Sequence, residues 1–330
     1  MHPLTRFFRY LEKIDFRVVP ARGHLDERQL TEWYPDWYYE FMETDEVRNR
    51  PYRDTIRETV AGKVVLDVGT GRKAMWAACC ARAGAKRVYA IEANRRAYRS
   101  SLRFLRSQGM DNVILIHGFS DQVNLPERCD VLVHEIVGCV GSSEGMVTFV
   151  EDAKQRLLTT DPALIPERCT TYLVLVEDPR LRWAERAFSY AMNGLQGVDS
   201  FSFFRYYGFP HSAVLSRPHV FEDIVFCQDA QLHTEKRFVV RIERDGLLRG
   251  VCFFVRLHVS ETRIIDTWNS KTSWSTPYIR FKTAAPVRAG DLVEVATRSD
   301  LSGHPSYSVA LTRQAGGSPR EIGQYAWTGD

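Results

Sequence analysis

From Lys63 onward the chain alternates short, almost wholly apolar runs with longer amphipathic ones, and this alternation narrows the fold more than any other feature. "KVVLDVG" (63–69) reads as a buried strand, "RKAMWAACCARAG" (72–84) as a helix and "RVYAIE" (87–92) as a second strand. A second helix, "RRAYRSSLRFLRSQG" (95–109), leads to the strands "VILIHG" (113–118) and "DVLVHE" (130–135), and then to the helix "MVTFVEDAKQRLL" (146–158). Strands apolar on both faces and separated by helices predict a parallel α/β sheet with right-handed crossovers.

The flanks have a different character. Residues 1–60 are aromatic-rich and read as helical, ending in "DEVRNRPYRDTIRETV", with Pro51 near a helix start, where its missing N–H costs little. Pro162 and Pro166 precede the strand "CTTYLVLVED" (169–178). Helical spacing returns in "RWAERAFSYAM", within an aromatic and arginine-rich stretch at 180–210. Beyond 215, β-type runs dominate: "EKRFVVRIE", "RGVCFFVRLHVS", "DLVEVATRS" and "YSVALTR". The division expected is a helical segment over 1–60, a nucleotide-binding unit over 61–170, and a mainly β unit, sandwich or barrel, over 171–330.

Bulk properties exclude several classes. No apolar run approaches the ~20 residues of a membrane span. "MHPLTRFFRYLEK" lacks the apolar core of a signal peptide, so a soluble, cytoplasmic protein is expected. The seven cysteines, odd in number and without metal-ligand spacing, predict reduced thiols and no metal site. Net charge is only +3, and the densest basic run, 95–106, carries Ala, Tyr, Leu and Phe at helical spacing. It reads as an amphipathic helix with a solvated basic face and not as a nucleic-acid surface.

Chemistry concentrates at two places. In "VVLDVGTGRKA", Gly69 and Gly71 occupy the turn between strand and helix, where a ligand can approach the backbone. Glu92 ends the next strand, 21 residues after Gly71, where an acid bonds both ribose hydroxyls of an adenosine. Gly69, Gly71 and Ala74 also satisfy the G-x-G-x-x-A dinucleotide fingerprint, so a dehydrogenase competes. Asp67, two residues before the first glycine, suits a cationic cofactor better than a pyrophosphate and favours S-adenosylmethionine. The second place is "HEIVGCVGSSEG" (134–145), with Glu135 and Glu144 nine positions apart. Glu135 ends a strand and points to the crevice; Glu144, returned by a glycine-containing loop, could face it. Two carboxylates at close range suit a guanidinium. On spacing alone, a solvated loop with two incidental acids is the favoured reading.

These stretches carry a family likeness. The chain resembles protein arginine methyltransferases over nearly its whole length. "DEVRNRPYRDTI" is similar to the family's helical motif before the sheet, "VVLDVGTG" to its cofactor motif, and "CDVLVHEIVGCVGSSEGM" to its double-glutamate loop. "IPERCTTYLVLVED" is similar to the strand that follows. The resemblance implies a Rossmann-like methyltransferase domain followed by a β-barrel-like domain, with an inserted helical dimerisation arm at about 180–210 and a homodimeric assembly. Carried over by position, Arg48 pairs with the carboxylate of the cofactor's methionine part, which Gly69 and Gly71 line with Asp67 beneath. Glu92 holds the ribose, and Ser120 and Asp121 contact adenine. Glu135 and Glu144 hold the substrate guanidinium. "WYPDWYYEFM" (33–42) falls at the family's lid helix, which brings Tyr38, Tyr39 and Met42 to the substrate. Two departures stand out: Lys73 replaces the third glycine of the cofactor motif, and Ser273, beside Trp274, replaces the histidine of a Thr-His-Trp loop.

The activity implied is N-methylation of a guanidino group, with S-adenosylhomocysteine as the by-product. Enzymes acting on cationic arginine-glycine peptides are expected to present an acidic surface. This chain has a pI near 8.4 and an altered third loop, which favours free L-arginine or a small guanidino compound. A peptide arginine substrate is the second reading, and a catalytically dead methyltransferase fold serving as a scaffold the third.

Overall fold

A computed structural model describes residues 18–20, 36–179, 202–315 and 318–328. Val18–Pro20, in the segment read as helical, is a short strand, β1. Asp36–Glu43 and Glu46–Thr59 are helices α1 and α2. Asp45 caps α2 by accepting from the Arg48 N–H at 3.1 Å. Pro51 lies in the second turn of α2, further inside than the sequence suggested. Its missing N–H leaves the carbonyl of Val47 without a helical donor, and Val47 is exposed, so water can serve it.

Strands β2 (Val64–Val68), β3 (Arg87–Glu92), β4 (Val113–His117), β5 (Cys129–His134) and β6 (Leu158–Ile165) form an all-parallel sheet in the order β4-β3-β2-β5-β6. Helices α3 (Met75–Arg82), α4 (Arg95–Ser107) and α5 (Met146–Arg156) connect them. Val65, Leu66, Leu132 and Val133 are wholly buried at the centre, each contributing roughly 1.5–3 kcal/mol as an upper estimate. In α4 the Asn94 side chain accepts from the N–H groups of Arg96 and Ala97; Ala97, Ser101 and Leu105 face the sheet. Strand β6 was not anticipated, because Pro162 sits in it. Ladder pairing runs from Leu158 directly to Ala163, so the proline falls in an irregular stretch of an edge strand, where no ladder donor is needed.

The remaining strands are antiparallel. One seven-stranded sheet joins β1, β7 (Arg168–Val176), β8 (Phe203–Tyr206), β9 (His219–Val225), β11 (Gly246–His258), β12 (Ile264–Asp266) and β13 (Thr276–Val287). Its order is β1-β8-β13-β11-β7-β9, with β12 on β11. The other sheet runs β10-β14-β15-β16, from His233–Arg241 through Leu292–Asp300 and Ser306–Ala315 to Ser318–Thr328. The two pack face to face around aromatic side chains, Phe253 lying 5.6 Å from Trp327 and Tyr307 5.1 Å from Trp327. This is the α/β fold with a barrel-like β unit that the sequence predicted. The expected helical arm lies outside the described residues up to 201, and its far end, 203–206, is strand β8. Among the described residues no helix is long and apolar enough to cross a membrane.

Candidate active site

Strand order reverses between β2 and β5, and ligands of such sheets bind beyond the carboxyl ends of the strands at that reversal. Register decides what meets there. Val68 pairs with His134, so Gly69 and Glu135, the next residues, leave the sheet side by side. On the other flank Val68 pairs with Ile91, and Glu92 pairs with His117. The glycine turn, Glu92 and Glu135 therefore share one edge.

Gly69 and Gly71 have φ of +73° and +72°, a region that disfavours side chains. A Cβ on Gly69 would also lie 3.1 Å from the Ile136 side chain. Glu92 is buried; its Oε2 accepts from the Gly71 N–H at 2.7 Å and its Oε1 from the Asn94 N–H at 2.8 Å. Asp67 is fully buried beneath the turn. Its Oδ2 accepts from the Thr70 hydroxyl at 2.5 Å and the Ala77 N–H at 2.9 Å, while Oδ1 has no partner among the described residues. Helix α3 begins at left-handed Ala74 with no side-chain cap of its own, so Asp67 supplies the capping acceptor from the strand. Burial pushes the Asp67 carboxyl up to about 7. An acid on the first-turn amides opposes a pyrophosphate there and favours a cation, which weighs against the dinucleotide alternative. The orphaned Oδ1, the glycine cradle and the spare lone pairs of Glu92 fit S-adenosylmethionine.

The lid residues come to the same turn. Glu43, at the end of α1, accepts from Arg72 Nε at 2.9 Å and Nη2 at 3.0 Å, and from Lys73 Nζ at 2.7 Å. Arg72 also lies 5.6 Å over the Tyr39 ring. Lys73, the departure from the family pattern, thus fastens α1 to the glycine turn. The Met42 carbonyl accepts from the Asn49 side chain at 2.9 Å. The Tyr38 side chain lies outside the described residues. Ser120 and Asp121 form a short 3-10 turn after β4, Asp121 exposed and Ser120 half-buried with its carbonyl accepting from Arg156.

A second cluster gathers around Glu135. Its carboxylate is ion-paired with Arg48, both side chains nearly buried at 12% and 3% exposure. Arg48 was assigned to the cofactor by position; in the structure it reaches Glu135 and lies 5.4 Å over the Trp274 ring. Trp274 Nε1 donates to the Val137 carbonyl at 2.7 Å, and the Ser273 N–H donates to Asp45 at 2.6 Å. The Thr272-Ser273-Trp274 loop is therefore pinned between helix α2 and the glutamate loop. Glu135 is a largely shielded, charge-paired acid, unlike one in a solvated loop. Glu144 is half-buried at the end of a 3-10 turn, Gly141–Glu144, closed by Gly145 at φ +75°.

Sequence reasoning missed three groups beneath this loop: Thr171, Glu222 and Tyr307. Only Glu222 left a trace, as one of two adjacent acids inside the strand-like "HVFEDIV". Cys139, between the two glutamates, lies 3.1 Å from the Ser275 hydroxyl and 3.7 Å from Arg205 Nη1.

His134, one residue before Glu135, is wholly buried with neither ring nitrogen partnered among the described residues, edge-to-face with Phe149 and Phe226 at 5.1 and 5.0 Å. Burial lowers it from an ordinary 6.5 to about 3, so the folded ring is neutral. Below the ordinary value the unfolded chain binds one more proton than the folded one, and stability falls with pH across that window. Between pH 7 and 5 this site should remove about 2 kcal/mol. Urea unfolding at both pH values measures it; His134→Leu should shrink the difference by that amount.

The chain is similar to protein arginine N-methyltransferases. It is 34% identical over 145 residues to the probable protein arginine N-methyltransferase 6 of Arabidopsis thaliana, covering 43% of this chain and 33% of that protein. It is 26% identical over 283 residues to protein arginine N-methyltransferase 8-B of Danio rerio, covering 78% and 65%. To protein arginine N-methyltransferase 1 of Schizosaccharomyces pombe it is 34% identical over 150 residues, covering 44% of each. The matched region thus spans between a third and two thirds of these curated relatives. No protein-family model matches the chain. Among solved structures, the Trypanosoma brucei PRMT1 enzyme-prozyme heterotetrameric complex with AdoHcy superposes at TM-score 0.73 and 16% identity, covering 88% of this chain and 98% of that one. Arabidopsis thaliana protein arginine methyltransferase 10, in an open conformation, superposes at 0.74 and 18%, covering 91% and 99%. At these identities the structures show a shared fold, that of the arginine methyltransferases.

Proposed function

We propose that the protein is an S-adenosylmethionine-dependent N-methyltransferase acting on an arginine guanidino group. The observation that carries this reading is Glu135, which leaves the sheet beside the glycine turn and already holds a guanidinium, that of Arg48. S-adenosylmethionine supplies an electrophilic methyl on a sulfonium. Gly69, Gly71 and Asp67 would line its methionine part and Glu92 its ribose, with Ser120 and Asp121 at the adenine rim. Glu135 and Glu144 would hold positive charge on two nitrogens of the substrate, which leaves the third more nucleophilic; that nitrogen would bond the methyl carbon as the carbon–sulfur bond breaks, S-adenosylhomocysteine would leave, and the displaced proton would pass to water. Tyr39, Met42, Ser273 and Trp274 would wall the substrate, and Tyr38 would join them.

Free L-arginine or a small guanidino compound is the substrate class we favour. Arg205, half-buried and 3.7 Å from Cys139 in the glutamate loop, supports it. A cation there suits the α-carboxylate of a free amino acid and opposes a cationic peptide. Mass spectrometry of products from free arginine and from an arginine-glycine peptide should find the methyl on the former. Arg205→Ala should raise KM for free arginine about tenfold or more, with cofactor affinity unchanged. Transfer to the peptide alone would overturn the substrate assignment; cofactor binding without turnover on any guanidine would favour a scaffold. A cytoplasmic homodimer completes the reading. The heterotetrameric assembly of the Trypanosoma brucei complex supports oligomerisation, and seven free cysteines suit a reducing compartment.

A further inference from the structure

The loop between the two glutamates rests on a buried acid from the β unit. Glu222, on edge strand β9, is 6% exposed. Its Oε1 accepts from the Ser142 N–H at 3.0 Å and the Thr171 hydroxyl at 2.6 Å, and its Oε2 from the Ser142 hydroxyl at 2.6 Å. Thr171, its proton committed to Glu222, accepts from the Gly141 N–H at 2.9 Å. Ser142 Oγ, likewise committed, is left to accept from the Tyr307 hydroxyl at 2.7 Å. Ser142 and Thr171 are wholly buried and Tyr307 nearly so.

Every polar group in this cluster points one way: three donors converge on one side chain. Only an acceptor-only group satisfies all three, and an ionised carboxylate is that group. Burial pushes the carboxyl up, while the bonds from Ser142 and Thr171 and the nearby Lys236 oppose the shift. The anchored residues, Gly141 and Ser142, belong to the 3-10 turn that ends at Glu144. The contacts cross from one structural unit to the other, so the β unit sets where that turn sits.

We infer that Glu222 is the positioning residue for Glu144, seating the turn that presents this acid to the substrate. The assignment of a catalytic consequence rests on the transferase reading above; the seating does not. Glu222→Gln keeps the shape but turns one oxygen into a donor facing donors. It should lower kcat about tenfold and leave cofactor Kd within about twofold, since the glycine turn is untouched. Added to Glu144→Gln it should lose little more than Glu144→Gln alone, because both act through one group. Fully additive losses, or undiminished kcat, would overturn the positioning role. Hydrogen exchange at Gly141 and Ser142 tests the seating without any turnover. In Glu222→Gln it should quicken about tenfold or more while Gly69–Gly71 stays unchanged. Unchanged exchange at both residues rejects the inference whatever the substrate is. If the wild-type chain methylates no guanidine, the transferase reading fails alone, and exchange still decides the role of Glu222.

Discussion

Glu144→Gln should reduce methyl transfer about 10²–10³-fold while the protein stays folded and binds cofactor as before. The amide keeps the volume and hydrogen-bonding reach of the acid but removes the charge that would hold the substrate guanidinium. Glu135→Gln should lose activity to a similar degree and lose stability as well. Its carboxylate balances Arg48, at 3% exposure, so neutralising it takes a charge partner from a buried guanidinium. Breaking such a pair costs about 3–5 kcal/mol. Steady-state kinetics with free arginine and thermal unfolding measure the two losses. Full activity in both variants would refute the clamp.

Gly141→Ala should be nearly as damaging through a steric route. A Cβ there would lie 2.4 Å from Cys169 Sγ, 3.1 Å from Glu222 Oε1 and 3.2 Å from Thr171 Oγ1. Cys169 is wholly buried in β7 and has nowhere to retreat. The loop must lift, at roughly 1–3 kcal/mol of overpacking. A displacement of about 1 Å in a group that orients substrate can lower kcat about 10²-fold. Stability and kcat should fall together while affinity for S-adenosylhomocysteine holds. A variant with normal kcat would show that the loop's height does not matter to catalysis.

Much of this was legible in the chain because the informative residues are local. The parallel sheet followed from continuous apolar strands, and the glycine turn with its neighbouring acid from two glycines and a Glu at the end of the next strand. Strand β6 was hidden by Pro162, which an edge position tolerates. The Glu222 network was hidden for another reason: Gly141, Thr171, Glu222 and Tyr307 come from four separate elements, and no spacing pattern relates them. The place of Arg48 in α2 was visible, but its partnership with Glu135 depends on how the helix lies across the sheet edge. Lys73 read as a defect in a glycine motif, whereas with Glu43 it forms a tether.

The pairing of Val68 with His134 has a consequence of scale. Neighbouring strands are about 4.8 Å apart whatever loops join them. The spacing between the glycine turn and Glu135 is therefore metered by the ladder, a ruler built from backbone. Loops around this edge can lengthen or change composition with the gap intact. A one-residue slip of β5 against β2 would instead swing Glu135 to the opposite face of the sheet. Variation in such a chain should thus collect in what surrounds the crevice, leaving its width untouched.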